Sequence, residues 1–236
     1  MFQTIFLHCS NNSFVVLNGT NAFFVFVNVA QKDSVFDYFI YLCAQNEETV
    51  MILELNEVLL KDDRQTLSMM AQSGKLTCLT GGKPLQRYRC LISMMGFEPI
   101  VHGYICLDGE PLTSCSALAF RQLMSYAPAR LSAIGEVTVY EPPTIQDVFS
   151  LRVNRERPIS NGILGEEIRK IEADASDIRV QLLAVAVLLD KPILLVDNPH
   201  EDSVEYLKQQ AAKGKIVIVT SDNPEVLRAS DLVVEL

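Results

Sequence analysis

Two four-residue runs, Ile193-Leu194-Leu195-Val196 and Ile216-Val217-Ile218-Val219, are apolar at every position. A strand with one wet face alternates apolar and polar side chains, so an unbroken run needs cover on both faces, as in the parallel sheet of a layered α/β domain. The surrounding residues fit that reading. Positions 178–189 have the apolar density of a buried helix, 202–213 carry a helical pattern between the two strands, and 226–229 with 232–236 supply a last short helix and strand. The alternation extends back to Val50, with strands expected at 51–55, 67–71, 76–80 and 103–107 and a helix at 86–95. The predicted class is α/β with a mostly parallel core sheet.

The N-terminal part has a different character. Residues 1–31 contain no Asp, Glu, Lys or Arg, and β-rich runs at 2–7, 14–17 and 23–29 alternate with Ser/Asn/Gly turns, which predicts a three-stranded meander. Asp33 then caps a helical pattern at 34–44, where Val35, Phe36, Phe39, Ile40 and Cys43 share one face. The acidic stretch that follows reads as a linker, so the expected division is an extension at 1–49 and a second domain at 50–236. A meander with open edges needs cover. It either completes the domain's own sheet or offers a docking surface to another subunit.

Charge excludes some partners. Twenty basic against twenty-nine acidic side chains give a net charge of −9 and a pI near 4.9, which disfavours a nucleic-acid backbone or an anionic bilayer as the main ligand. Cys9, Cys43, Cys78, Cys90, Cys106 and Cys115 form no C-x-x-C pair, and His8, His102 and His200 are far apart. Small buried thiols in a reducing cytoplasm are therefore expected, not disulfides or a metal site. No apolar run has the flanks of a signal peptide or the length of a membrane span, so a cytoplasmic chain without direct membrane insertion is expected.

Specific segments sharpen the α/β reading. Met51-Ile52-Leu53-Glu54-Leu55-Asn56 opens the second domain, and Ser73-Gly74-Lys75-Leu76-Thr77-Cys78-Leu79-Thr80-Gly81 reads as a Gly turn and a strand leading into a glycine pair. Met95-Gly96-Phe97-Glu98-Pro99 precedes His102-Gly103-Tyr104-Ile105-Cys106-Leu107-Asp108-Gly109-Glu110-Pro111-Leu112, a hairpin with Asp-Gly at its turn. Ser125-Tyr126-Ala127-Pro128-Ala129, Pro143-Thr144-Ile145-Gln146-Asp147-Val148, the strand at 192–199 and the strand and turn at 215–227 follow in order. In this order and spacing the segments resemble the nucleotide-binding domain of ATP-binding-cassette (ABC) transporters, from Val50 to the C-terminus. The resemblance implies a P-loop NTPase-like ABC ATPase fold with a small helical subdomain.

At the positions where that family carries its chemistry, this chain departs from it. The phosphate loop, G-x-x-x-x-G-K-[ST] in the family, reads Gly81-Gly82-Lys83-Pro84-Leu85-Gln86-Arg87-Tyr88. Gly81 keeps the opening turn, Gln86 brings a side chain where glycine permits close approach, and Pro84 removes an N–H. Arg87 stands at the phosphate lysine, a planar fork in place of a compact ammonium, and Tyr88 replaces the small hydroxyl that ligates magnesium. By the same resemblance Asp197 keeps the Walker B carboxylate, Asn198 occupies the place of the catalytic glutamate, Ser221 that of the switch histidine and Ala129 that of the Q-loop glutamine. A carboxamide cannot accept the proton of the attacking water. The signature segment reads Ala173-Asp174-Ala175-Ser176-Asp177, with two carboxylates where a partner's triphosphate would lie.

These departures imply a non-hydrolysing ABC-ATPase-like protein, a binding, scaffolding or regulatory subunit, with neither catalytic residues nor a cofactor expected. The implied partners are a second copy of the chain, an active ABC ATPase subunit or a membrane permease, which would hold it at the inner face of a membrane. One alternative is a divergent ATPase that energises transport, with Arg87 in the lysine's role and Asp197 holding magnesium beside ATP. Another is a nucleotide or anion sensor without turnover, dependent on Arg87.

Overall fold

The computed structural model describes the backbone of strands 5–9, 13–18 and 21–26, and residues 50–61, 63–130, 145 and 159–236. The chain divides into two units, Met1–Asn46 and Glu47–Leu236. In the first, β1 (Ile5–Cys9), β2 (Ser13–Asn18) and β3 (Asn21–Phe26) form an antiparallel meander in the order β1-β2-β3, with Ile5 opposite Leu17 and Asn18 opposite Asn21. The helix expected at 34–44 and the segment at 143–148, apart from Ile145, lie outside the described residues.

The second unit contains two sheets. β4 (Ile52–Leu60), β5 (Leu67–Gln72), β7 (Ile100–Leu107) and β8 (Glu110–Pro111) form an antiparallel sheet in the order β5-β4-β7-β8. β4 and β5 alternate in burial, with Leu67, Met69 and Ala71 of β5 inward, because one face alone is covered, whereas β7 is exposed over 101–104 and buried over 105–107. The β7–β8 hairpin turns at Asp108 and Gly109, both at positive φ, a conformation that Asp tolerates better than most side chains and Gly adopts freely.

The other sheet is wholly parallel. β6 (Leu76–Thr80), β9 (Met124–Ala127), β10 (Ile193–Asp197), β11 (Ile216–Thr220) and β12 (Leu232–Glu235) are ordered β12-β6-β11-β10-β9. The unbroken apolar runs occupy β10 and β11, next to each other, and their alternate residues enter different cores. Ile193, Leu195, Ile216 and Ile218 join the core shared with the antiparallel sheet and α1 (Pro84–Met94). Leu194, Val196, Val217 and Val219 join a second core, built with α3 (Asn161–Ile171), α4 (Ile178–Leu188), α5 (Val204–Ala212) and α6 (Pro224–Ala229). Burial on both faces explains why these strands carry no polar alternation.

Several boundaries differ from the sequence reading. β4 runs to Leu60 through a bulge between Leu55 and Val58, and the helix expected at 202–213 begins as a 3-10 turn, Glu201–Ser203, before α5. Three elements were not anticipated: α2 (Ala117–Leu123), β9 and α3. The helix expected at 86–95 starts at Pro84, two residues early, and this difference shapes the site.

Candidate functional site

The C-terminal ends of parallel strands converge on the crevice where open α/β sheets bind ligands. Here β6 ends at Thr80 and α1 begins at Pro84, so the connection is three residues, Gly81, Gly82 and Lys83. Gly81 and Gly82 both have positive φ, and a Cβ on Gly82 would stand 2.7 Å from Gln86 Oε1. The tight turn therefore requires its glycine pair. Pro84 then starts the helix at N1, where a preset φ and a missing N–H are no handicap. Leu85 and Gln86, loop positions in the family pattern, lie in the first helical turn.

A phosphate cradle needs backbone N–H groups aimed at solvent. In this turn four of them are used internally. Gly81 N–H donates to Asp222 Oδ1 at 3.1 Å and Lys83 N–H to Gln86 Oε1 at 3.3 Å. The N–H groups of Gln86 and Arg87 both donate to the Lys83 carbonyl, at 2.9 and 3.2 Å. Pro84 has none.

Arg87 is buried, 7% exposed, and turns back onto the loop. Its Nη1 donates to the Gly81 carbonyl at 2.6 Å and to Asp222 Oδ1 at 3.0 Å, and it lies 2.8 Å from Asp222 Oδ2. Asp222 Oδ1 also accepts from the Thr80 hydroxyl at 3.1 Å. One carboxylate thus gathers the β6 terminus, the first glycine N–H and the buried cation. On its other side the loop is bounded by the chain's C-terminal residues: Leu236 N–H donates to the Thr80 carbonyl at 2.9 Å, and a Cβ on Gly81 would meet Glu235 Cγ at 3.0 Å. Sequence reasoning missed Asp222 because it lies 135 residues from Arg87 in the chain.

The remaining family positions are also engaged in structure. Thr220 Oγ1 donates to Asp197 Oδ1 at 2.8 Å and itself accepts the Asn198 N–H at 3.0 Å, tying the ends of β10 and β11 together. Asn198 sits at positive φ, which Asn adopts at low cost, and points to an exposed surface. Ser221 is buried, its Oγ accepting from Asn223 N–H at 3.0 Å and its N–H donating to the Leu79 carbonyl at 3.0 Å. Ala129 lies half-buried in the bend after β9. Tyr88 is half-buried near Tyr126, whose hydroxyl is buried without a hydrogen-bond partner among the described residues. Burial, and after it the charge of Asp197, pushes the Tyr126 phenol above its ordinary range.

Residues 173–177, which the resemblance aligns with the family's signature segment, end in a helix cap. Asp177 is the N-cap of α4: its Oδ1 accepts from Arg179 N–H at 2.7 Å, and its carboxylate pairs with the Arg179 guanidinium at 2.6 Å. The hydrogen bond from Arg179 holds the Asp177 carboxyl below the usual carboxylate range. Asp174 Oδ1 accepts from Ser176 N–H at 2.8 Å and from its hydroxyl at 2.7 Å. Ala173 and Ala175 complete the turn, and Gln181 Nε2 donates to the Ala175 carbonyl at 2.9 Å. The sequence reading pictured two carboxylates facing outward at a triphosphate; the structure gives both of them local partners.

These residues do not fit the magnesium–triphosphate group that such a fold implies. Four N–H groups of the turn are bonded within the protein, Pro84 has none, the buried cation is neutralised, and Tyr88 stands where the family resemblance would put a metal ligand. Among the described residues no group of three or more His, Cys, Asp or Glu side chains is arranged to hold a metal ion. An open cleft of about 710 Å³ lies beside the N-terminus of α1 between Arg64, Gln65, Lys83 and Gln86, and neither Arg87 nor Asp197 lines it.

No family model and no curated protein matches the sequence. Solved structures do match the fold. An ATP-binding subunit of an ABC transporter superposes with a TM-score of 0.59 at 17% identity, covering 78% of this chain and 85% of that one. A bacterial Atm1-family ABC exporter with ATP bound gives 0.60 at 15% identity, over 80% of this chain and 37% of the exporter chain. The cbiO1 protein of Clostridium perfringens, part of the ABC transporter complex cbiONQ, gives 0.52 at 12% identity over 77% of this chain and 84% of that one. The chain has the fold of ABC ATPase subunits, as its segment order implies.

Proposed function

We propose that this protein is a non-hydrolysing relative of ABC ATPase subunits, acting as a binding, scaffolding or regulatory component of a membrane transport complex. The observation that carries the reading is the state of the turn after β6, where the N–H groups of Gly81, Lys83, Gln86 and Arg87 are all bonded within the protein. A cradle with four donors engaged and a fifth position occupied by proline loses much of the preorganised electrostatics on which phosphoryl transfer depends, and loss of even one such contact costs about 10²–10³ in rate. Asn198 supplies no base, and Tyr88 no compact metal ligand.

The fold supports the proposed partner class. Subunits of this architecture work in transporter assemblies, as with the Clostridium protein, and among the described residues no helix is long and apolar enough to cross a membrane. A permease or an ATP-hydrolysing subunit is therefore the proposed partner, with attachment to the membrane through it. Calorimetry with Mg-ATP, with phosphate release measured in parallel, tests the reading. The expected result is neither binding nor turnover, together with co-purification with a permease or an active ATPase subunit that persists in Asp197→Ala. Micromolar binding with turnover that disappears in Asp197→Ala would overturn it.

A further inference from the structure

We infer that Asp222 is an internal ligand for the anion position at the end of β6, holding that position shut with the protein's own carboxylate. The inference rests on the reading above and adds a mechanism to it. Asp222 makes the contacts that an anion would make there. It accepts from the Gly81 N–H and the Thr80 hydroxyl, each at 3.1 Å, and pairs with the Arg87 guanidinium at 2.8 Å.

The asymmetry of exposure shows which partner is fixed. The Arg87 side chain is 9% exposed and that of Asp222 59%. Arg87 is held by packing and by the Gly81 carbonyl, whereas Asp222 reaches in as the exposed residue between buried Ser221 and half-buried Asn223, in the connection from β11 to α6. A buried guanidinium deprived of its counter-ion is unfavourable, so withdrawal of Asp222 leaves a cation and an N–H that recruit an anion from solution. While Asp222 is in place an external anion must displace it, and its apparent affinity falls by the fraction of molecules in which the position is open.

The test uses inorganic phosphate and the whole 236-residue chain, following thermal unfolding at constant ionic strength. Asp222→Ala removes an exposed carboxylate and leaves the fold's cores untouched. Phosphate is expected to raise the Tm of Asp222→Ala in a concentration-dependent way, through an affinity about tenfold or more above that of the wild type. The response is expected to vanish in Asp222→Ala/Arg87→Met, which keeps the length of the aliphatic stem. Asp222→Asn, which retains an acceptor for Gly81 N–H without the charge, is expected to fall between. Equal phosphate responses in the wild type and Asp222→Ala, or a response that survives loss of Arg87, would overturn the inference. Mg-ATP turnover by the wild type would instead strike the functional reading, so the two failures are distinguishable.

Discussion

Arg87 is held in place by hydrogen bonds and packing together. Its stem is buried, and its guanidinium serves the Gly81 carbonyl and Asp222 at once, a geometry that the point charge of a lysine does not reproduce. Arg87→Met is expected to lower stability by about 1–3 kcal/mol, and Arg87→Lys to recover only part of that, as read from urea denaturation. Little of this was legible beforehand. The sequence placed Arg87 at the phosphate-lysine position but gave no sign of its counter-ion, since nothing local links residues 87 and 222. The thiols were easier to read, because a cysteine inside an apolar run is buried whatever the details. Burial pushes Cys90 up to about 12 and Cys78 up to about 11, while Cys115 is exposed. Alkylation needs the thiolate and access to it. Iodoacetamide at pH 8 should therefore label Cys115 and leave Cys90 and Cys78 unmodified until the protein unfolds; peptide mass spectrometry showing equal labelling of Cys90 and Cys115 would contradict the packing described.

Among the elements, α4 illustrates what a cap supplies to an apolar helix. Val180, Leu182, Leu183, Ala184, Val185, Ala186 and Val187 are all buried, so the helix is apolar nearly all round and its polar definition comes from Asp177 at the N-cap. Asp177→Ala should cost about 1–2 kcal/mol, and Asp177→Asn less, because Asn caps as well but cannot pair with Arg179. Since the folded-state pKa of Asp177 is depressed, its stabilisation is present above the unfolded-state value and is lost as pH falls through the folded-state value. Asp177→Asn should therefore flatten the acid side of the stability profile. The elements missed in the sequence share a cause, weak local signals. α3 contains Gly162 and Gly165 and buries only Leu164, Glu167 and Ile171, and β9 is four residues defined by pairing with β10. The start of α1 is a different case. Pro84 is a good N1 residue and Gly-Gly a turn signal, but the eight-residue family pattern laid over 81–88 suggested a longer loop than the chain builds.

At the scale of the second unit, one parallel sheet serves two cores, and this much was readable from the unbroken strands. Leu91 belongs to the core under the antiparallel sheet, and Leu183 to the core under the helices. Because alternate residues of β10 and β11 feed both, the two cores should unfold together. Leu91→Ala and Leu183→Ala are each expected to cost about 2–5 kcal/mol with an unchanged m value, as seen in single denaturant transitions. A separate transition for either variant would show that the cores are independent.

The early start of α1 also limits what substitution alone can undo. Restoring Gly, Lys and Ser at positions 86, 87 and 88 would change the letters while the proline ring at 84 still set the first helical turn, with three residues left to span from strand to helix. The donors of residues 86 and 87, bonded to the Lys83 carbonyl, could turn outward only by moving backbone from helix to turn. Such a rearrangement is a matter of where the helix begins, and point-by-point change at 86–88 would leave those two donors as engaged as it found them.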